Sequence, residues 1–551
     1  MKKSKFLFLA VASALSLTGC DFINDLIRDD SSVSDEEIPT NNGLYSYTND
    51  GSEFGCDTHN PTYSASGVKV SANTKDTYER VGKTTWTVNF PSTGSPRILV
   101  IPVELRDYTS TATDKVRSDI YKTFFGKSEE TGWESVSSFY YKSSFGKLNI
   151  QGAVSEWYDC GYTSKQLARL TSSDSSYDPT WTILENAVKW YKSTYSSSGV
   201  EFDTNHDGFF DAVWLVYGAP NAQNDSSMDS NTYWAYTYFD NSVFDNIKYQ
   251  CDLDKLKTNP VGYHYAWASY DFMYEGYGKN KRDAHTFIHE TGHLLGLDDY
   301  YVSTDCDDYT RNYGPTGWVD MMDANVIDHN SFSKFALGWV SPYVVSSSCT
   351  VELKPMATSG EFLILPTSGG WNGMAFDEYM ILEYYTPEGL NASDSESAYS
   401  NGVQGMTNKG IRIWHIDARL VELDSNSNAK RYVDSFSDDD AVYQANSNTA
   451  YYNMVNGNVG NLAHRLIQLI DCGSKKNYDT EYDSSTKQAY MATNSSLFTA
   501  GKTFSYSSYA KSFPSYYFNS KSTMNDGTSL PWSVTVNSIS NEKAVLTITK
   551  A

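Results

Sequence analysis

The chain has 551 residues, of which 40% are hydrophobic and 15% aromatic, enough for a sizeable core and more than one domain. Its formal net charge is −24. So acidic a surface repels phosphate backbones, and we therefore expect no nucleic-acid partner.

The N-terminus predicts export. Three lysines stand in the first five residues, and the apolar run from Phe6 to Leu17 is too short for an ordinary membrane span. Leu17-Thr18-Gly19-Cys20 resembles a bacterial lipobox. The resemblance implies a signal peptide over residues 1–19, a lipid on Cys20 and a cell-surface lipoprotein anchored to the bacterial membrane. The alternative is a plain secretory signal with a chance cysteine.

The body of the chain divides by its patterning. Residues 20–60 begin with a polar, acidic stretch, which predicts a flexible tether. Residues 61–345 hold alternating strand and helix patterns and predict an α/β (α+β) catalytic domain. Residues 346–551 hold short apolar runs between Gly, Ser and Asn clusters, which predict a β-rich domain. The clearest elements of the first domain are strands over 98–103, 148–154 and 209–217 and helices over 134–143, 181–191 and 283–295.

A zinc-binding pattern follows in the last of these helices. His289 and His293 lie four residues apart, so a helix presents both imidazoles to one metal ion. Glu290 can then reach a water beside the metal. Asp299 is the best third ligand, but on an unbroken helix it would lie about 9 Å beyond His293. We therefore expect the helix to stop and the chain to turn back at Gly296. A third ligand from a later glutamate is disfavoured, since none occurs between Glu290 and Glu352.

The pattern His289-Glu290-x-x-His293-x-x-Gly296-x-x-Asp299 resembles the metzincin motif with Asp in its last position. Together with the runs 140–148, 317–323, 337–339 and 410–417, it resembles the immune inhibitor A family of secreted bacterial metalloproteases. The resemblance implies a metzincin-like catalytic domain with a Met-turn. By position Met322 is the Met-turn residue, and Met321 is the alternative.

These features predict a secreted, lipid-anchored zinc metalloendopeptidase that hydrolyses peptide bonds of extracellular proteins. Zinc activates the water, and Glu290 serves as the general base. The alternative is a surface-binding lipoprotein, an adhesin or receptor, that retains a zinc helix without turnover. The intact Glu290 argues against it, because a purely structural metal does not need that carboxylate.

A second metal is predicted upstream, in a loop with oxygen ligands at alternate positions. Calcium would be held there by Asp203, Asn205, Asp207, Phe209 through its carbonyl, and Asp211. Position twelve is Trp214 instead of Glu, so the loop is not an EF-hand. The alternative is a polar turn whose aspartates cap their own backbone.

Other groups carry weaker hypotheses. Besides Cys20, the chain has six cysteines, which permit up to three disulfides. For Cys56 the alternative to a disulfide is a thiolate that blocks zinc in an inactive precursor. The cluster Asp305, Asp307 and Asp308 predicts a solvated acidic loop, with a second ion as the alternative. His415 and Asp417 share a strand face, which favours a hydrogen-bonded pair over a metal site.

Overall fold

A computed structural model describes residues 38–55, 67–70, 77–78, 90–173, 179–240, 253–276, 281–302, 314–423, 429–435, 442–449, 465–473, 478, 485, 489–509 and 523–551. In this part of the chain the protein is a mixed α/β structure with several sheets and a β-rich region. No helix among the described residues is long and apolar enough to cross a membrane.

The strands in chain order are β1 (Thr40–Asn41), β2 (Leu44–Tyr47), β3 (Val68–Val70), β4 (Arg97–Glu104), β5 (Gln151–Val154), β6 (Tyr158–Asp159), β7 (Ala212–Tyr217), β8 (Tyr236–Phe239), β9 (His264–Ser269), β10 (Tyr343–Val345), β11 (Cys349–Leu353), β12 (Phe362–Pro366), β13 (Glu378–Tyr385), β14 (Gly410–Asp417), β15 (Leu420–Leu423), β16 (Ala429–Val433), β17 (Val442–Gln444), β18 (Ile467–Leu469), β19 (Thr503–Ser505), β20 (Trp532–Ile539) and β21 (Ala544–Lys550).

The α-helices are α1 (Asp114–Phe125), α2 (Val136–Ser143), α3 (Ser164–Ser173), α4 (Pro179–Thr194), α5 (Leu253–Leu256), α6 (His285–Leu294), α7 (Met321–Ala324), α8 (Ser331–Ala336), α9 (Met356–Ser359), α10 (Ala392–Glu396) and α11 (Tyr506–Tyr509). Short 3₁₀ turns cover Ser52–Phe54, Thr109–Thr111, Val200–Phe202, Tyr270–Tyr274, Gly389–Asn391 and Asn494–Ser496.

The first sheet has the order β1-β2-β5-β4-β7-β9-β8, with β6 also on β4. Strands β5, β4, β7 and β9 run parallel, and β8 is antiparallel to β9 at the edge. Strand β4 is buried on both faces: Ile98 and Val100 enter the core shared with α6, whereas Leu99 and Ile101 pack in the core on the opposite face with α4. This explains its continuous apolar run.

Two further sheets form most of the β-rich region. One has the order β18-β14-β13-β12-β10-β3, and the other has the order β11-β21-β20-β19. They share a core in which Leu363 and Leu382 lie with Val534 and Leu546. A small antiparallel sheet, β16-β15-β17, completes the described strands.

The two regions are not separated by a gap in the core. One continuous cluster of buried side chains includes Ile288 of α6, Phe335 of α8 and Ile381 of β13. Strand β3 also pairs with β10, so a strand from before the α/β region belongs to the sheet of the β-rich region. Helix α6 and the β-rich region are therefore packed as one body.

Most predicted elements are confirmed, with shifts at their ends. The helix predicted over 134–143 begins at Val136, because Ser135 is its N-cap and forms a capping box with Ser138. The strand predicted over 148–154 is wrong in its first half, since β5 begins only at Gln151. The helix predicted over 283–295 is α6, two residues shorter at its start and one at its end.

Candidate metal centre

The centre is built on helix α6, which is buried along almost its whole length. Phe287 and Ile288 lie in the hydrophobic core, so the opposite face of α6 is turned towards the segments that follow the helix in the chain. His289 and His293 lie one turn apart on that face, with ring centroids 4.8 Å apart and planes at 86°. The predicted pairing of the two imidazoles is confirmed.

The chain turns back where the sequence predicts it. Helix α6 ends at Leu294, and Gly296 has a φ of 102°, which L side chains rarely adopt. The amide of Leu297 donates to the carbonyl of Gly292 and closes the turn. Asp299 therefore returns to the histidines: its Oδ1 lies 3.1 Å from the Nε2 atoms of both His289 and His293.

The three facing atoms form a nearly equilateral triangle, because the two Nε2 atoms are also 3.1 Å apart. Each histidine uses its other nitrogen elsewhere: Nδ1 of His289 lies 2.8 Å from the carbonyl of Met321, and Nδ1 of His293 lies 2.8 Å from that of Leu297. A carbonyl oxygen only accepts, so each Nδ1 carries the proton. Each Nε2 in a neutral ring therefore turns a lone pair towards the Asp299 carboxylate.

This donor set fits a zinc ion. Bonds of about 2.0 Å in a tetrahedral site place neighbouring ligand atoms about 3.3 Å apart, close to the separations in this triangle. His289, His293 and Asp299 are the one group of His, Cys, Asp and Glu side chains in the described part of the chain whose ligand atoms converge closely enough to hold a metal ion. Two imidazoles and a carboxylate also leave a fourth tetrahedral position without a protein ligand.

The electrostatics of the triangle favour a positive charge at its centre. Burial opposes ionisation of both Asp299 and His293, but the contact between these two side chains outweighs the effect of burial. The His293 imidazole holds the pKa of Asp299 well below its ordinary value, and the Asp299 carboxylate raises the pKa of His293 to about 10. Three acceptor atoms so close together therefore need a cation or a proton between them.

Glu290 points from the same helix into the neighbourhood of the triangle. Burial raises the pKa of its carboxyl above the ordinary glutamate value, while His293 and His289 act in the opposite direction. The hydroxyl of Thr237 lies 2.9 Å from the Glu290 carbonyl and 3.1 Å from its Oε2. Thr237 belongs to β8, so the edge strand of the first sheet lies directly beside this carboxylate.

The segment predicted to form the Met-turn packs against α6 at Gly292. A Cβ atom placed on Gly292 would come within 2.5 Å of the Met322 sulfur, so this side chain packs directly against α6. Met321 contributes its backbone carbonyl, which accepts from His289. Met322 therefore packs its side chain against α6 and Met321 contributes its carbonyl, while the choice of Met322 as the Met-turn residue stays a prediction.

Tyr301 and Thr237 were missed by the sequence reasoning. The Tyr301 hydroxyl is hydrogen-bonded to the Asp299 carboxylate, and burial together with that charge raises its pKa well above the ordinary value. The two-residue spacing from Asp299 to Tyr301 was a usable signal, because residues two apart on an extended segment share a side. Thr237 had no such signal, since a long stretch of chain separates it from Glu290.

The loop predicted to hold calcium has its acidic groups engaged with its own backbone. Asp203 accepts from the amides of Asp207 and Gly208 at 3.0 Å each, and the Asp207 carboxylate accepts from the amide of Phe209 at 2.9 Å. Asp211 accepts from the amides of Arg97 and Thr204, and burial raises its pKa to about 6. Asn205 donates to Asp207 at 2.9 Å. These contacts are those of the capped turn, and calcium stays a prediction.

His415 and Asp417, predicted as a hydrogen-bonded pair, each bond to another side chain of the β-rich region. Nε2 of His415 lies 2.8 Å from a Glu378 carboxylate oxygen, and both oxygens of Asp417 accept from Arg419. Cys20, Cys56 and the cluster 305–308 lie outside the described residues. No disulfide joins the three described cysteines, Cys160, Cys349 and Cys472.

Comparison with known proteins adds no family. Neither the protein-family models nor the curated proteins that were searched match this chain. The inference of function therefore rests on the site itself.

Proposed function

We propose that this chain is a zinc metalloendopeptidase that hydrolyses peptide bonds of extracellular proteins. The observation that carries the proposal is the convergence of His289, His293 and Asp299 on one point, with 3.1 Å between each pair of facing atoms. A structural zinc site is closed by four protein ligands, whereas three ligands are typical of catalytic zinc. When bound, zinc would polarise a scissile carbonyl and make water acidic enough to lose a proton near neutral pH.

The chain's own residues supply the proton transfers. Glu290 takes the proton of the attacking water and returns it to the leaving amine. Burial suits it for this work, because a carboxylate with a raised pKa is a stronger base than an exposed one. Thr237 donates to Oε2 and so holds the carboxylate in one orientation.

The position of β8 supports a peptide as substrate. This strand is the edge of the first sheet and, among the described strands, pairs with β9 alone. An extended peptide can add to such an edge through backbone hydrogen bonds. It would then pass Thr237 and the neighbouring Glu290 carboxylate in mid-chain, which suits cleavage inside a polypeptide.

The remaining parts of the proposal rest on the sequence. A lipoprotein signal over residues 1–19 and a lipid on Cys20 would make the enzyme a cell-surface lipoprotein anchored to the bacterial membrane. The likeness to metzincins of the immune inhibitor A type stays a prediction, as does the metzincin character of the α/β region.

The proposal is tested by Glu290→Gln, with Glu396→Gln as the matched control at an exposed position of α10. Glu290→Gln should bind one zinc per chain yet cleave casein about 10²- to 10⁴-fold more slowly, because the general base is lost. Glu396→Gln should cleave at the unaltered rate. Chelation should abolish cleavage, and added zinc should restore it.

Two results would contradict the proposal. Full activity in Glu290→Gln would show that Glu290 is not the general base. Activity that resists chelation would show that the reaction needs no metal. An unaltered chain that binds zinc but cleaves no protein would favour the surface-binding lipoprotein instead.

A further inference from the structure

A segment of the β-rich region reaches back to the candidate metal centre. Residues 389–401, comprising a 3₁₀ turn (Gly389–Asn391), helix α10 (Ala392–Glu396) and the residues up to Asn401, lie between strands β13 and β14. Four of its side chains, those of Asn391, Asp394, Tyr399 and Asn401, contact the chain at the start of α6 or the segment 324–328. We call these four side chains the clamp.

Asp394 is the centre of the clamp and is buried, with 2% of its surface exposed. Its Oδ1 lies 3.3 Å from Nε2 of His285, the first residue of α6. Its Oδ2 accepts from the backbone amide of Ile327 at 2.6 Å. One carboxylate thus joins the metal-binding helix to the segment that follows the Met-turn.

The backbone at Ile327 needs such support. Ile327 has a φ of 56°, in the left-handed region that is a genuine outlier for a β-branched residue. Strain of this kind persists only where the surroundings fix it. The clamp supplies two acceptors in succession, because Asp394 accepts from Ile327 and the side chain of Asn391 accepts from the amide of Asp328 at 3.2 Å.

His285 is fixed on every side that the structure describes. Its Nδ1 lies 2.8 Å from Oδ1 of Asp283, and its ring stacks between Trp133 and Tyr399 at centroid distances of 4.4 and 4.2 Å. The Tyr399 hydroxyl donates to Asp283 at 2.9 Å. The orientation of α6 at its first residue therefore depends on side chains of the clamp.

The clamp also holds the end of α7, on which His289 depends. Asn401 donates to the carbonyl of Ala324, the last residue of α7, at 2.8 Å. The first residue of the same helix, Met321, accepts from Nδ1 of His289. The contacts that orient a metal-binding imidazole are therefore connected to the β-rich region at both α6 and α7.

We propose that Asp394 is a positioning residue of the metal centre, through which the β-rich region sets the relative placement of α6 and the Met-turn. The inference rests on the proposed zinc site and deepens it. It gives the β-rich region a part in metal binding, beyond completing the fold.

Asparagine cannot replace Asp394 in this role. Both carboxylate oxygens accept, and the amide of Ile327 can only donate. Burial lowers the pKa of His285, but Asp394 and Asp283 outweigh it and raise the pKa to about 9, so both ring nitrogens carry protons at neutral pH. An asparagine in either orientation would turn its NH₂ group towards one of the two donors.

The test compares zinc affinity in Asp394→Asn, Tyr399→Phe and the exposed control Glu396→Gln, by competition with a chromophoric chelator. Removing a group that bonds directly to a metal ligand typically weakens metal binding 10- to 100-fold. Asp394 acts through His285 and Ile327, so we expect the lower end of that range, an increase of about 10-fold in the zinc dissociation constant, for Asp394→Asn. We expect a smaller rise for Tyr399→Phe and none for Glu396→Gln. The visible spectrum of bound cobalt should also change in Asp394→Asn, because it reports ligand geometry.

The outcomes separate the two proposals. If the unaltered chain binds no zinc, the proposed function fails. If it binds zinc and Asp394→Asn keeps the same affinity and cobalt spectrum, even with lowered thermal stability, Asp394 is merely structural and the inference is overturned. If Asp394→Asn does not fold, His285→Gln decides, since it removes the contact with Asp394 from the α6 side: unchanged affinity and cobalt spectrum there overturn the inference.

Discussion

Two segments of this chain carry acidic and polar residues at metal-ligand spacing, and they differ in where those groups point. In the 289–299 segment three acceptor atoms face one another at 3.1 Å. In the 203–211 loop the carboxylates face the amides of their own turn or of the strand beside it. The first arrangement is unfavourable without a cation or a proton, whereas the second is already satisfied.

The comparison shows that the spacing of potential ligands in the sequence indicates a metal site less strongly than their convergence in the structure. An aspartate in a turn always has backbone amides within reach, so alternate acidic residues serve a capped turn as well as calcium. Two imidazoles on one helix face have no such local alternative for their Nε2 atoms. A distant third ligand brought back by a left-handed glycine therefore points more strongly to a metal.

The largest effect that separates the two segments is expected from matched Asp→Asn changes. Asp299→Asn removes the one anionic ligand and should weaken zinc binding by at least about 100-fold, the upper end of the cost of losing a mere supporting residue. Asp207→Asn should leave zinc affinity unchanged. Titration of the metal-free chains measures both.

Equal zinc affinity in Asp299→Asn and the unaltered chain would break the comparison, because the convergence would then hold no ion. Weaker zinc binding by Asp207→Asn would also contradict the comparison, because the 203–211 loop would then contribute to zinc binding.

The next effect is expected at His285, the histidine of α6 whose nitrogens both face carboxylates. Its pKa in the folded chain is about 9, against an ordinary value of 6.5, because Asp394 and Asp283 outweigh burial. The stabilisation of the folded chain by protonated His285 is complete below pH 6.5 and is lost as the pH rises through 9. His285→Gln should therefore lower the free energy of unfolding by about 3 kcal/mol more at pH 6 than at pH 10.

The measurement is denaturant unfolding of both proteins across that range. Subtracting the two unfolding free energies cancels the contribution of titrating groups elsewhere in the chain. Asp283, Asp394 and the Tyr399 hydroxyl belong to the network around the His285 ring, so they titrate together with it. A difference that stays constant from pH 6 to pH 10 would show that His285 is not held as a cation.

The smallest effect is expected from calcium. If the 203–211 loop binds calcium, a concentration of 100 times the dissociation constant should stabilise the chain by about 2.7 kcal/mol. The thermal midpoint should then rise by a few degrees, and Asp207→Asn should abolish the rise. No shift at millimolar calcium would leave the loop as the capped turn that its contacts describe.

The sequence predicted the local parts of this molecule well. The pairing of His289 with His293 follows from helical spacing, and the turn at Gly296 follows from the need to return Asp299 to them. The apolar run of β4 likewise predicted a strand, because it is continuous and of strand length.

What could not be predicted depends on contacts between distant segments. Asp394 lies more than ninety residues from α6, and no local pattern distinguishes it from the exposed Glu396 two residues on. The contact of Thr237 with Glu290 depends on β8 joining the sheet antiparallel to β9, which periodicity does not specify. The boundary placed at 345/346 marks a change of composition, while the core continues across it.

The central claim is that His289, His293 and Asp299 hold one zinc ion. Titrating the metal-free chain with zinc tests it most directly, beside a double variant with His289→Gln and His293→Gln. The account predicts one tightly bound equivalent in the unaltered chain and none in the double variant at the same concentrations. No binding by the unaltered chain, or equal binding by the double variant, would contradict it.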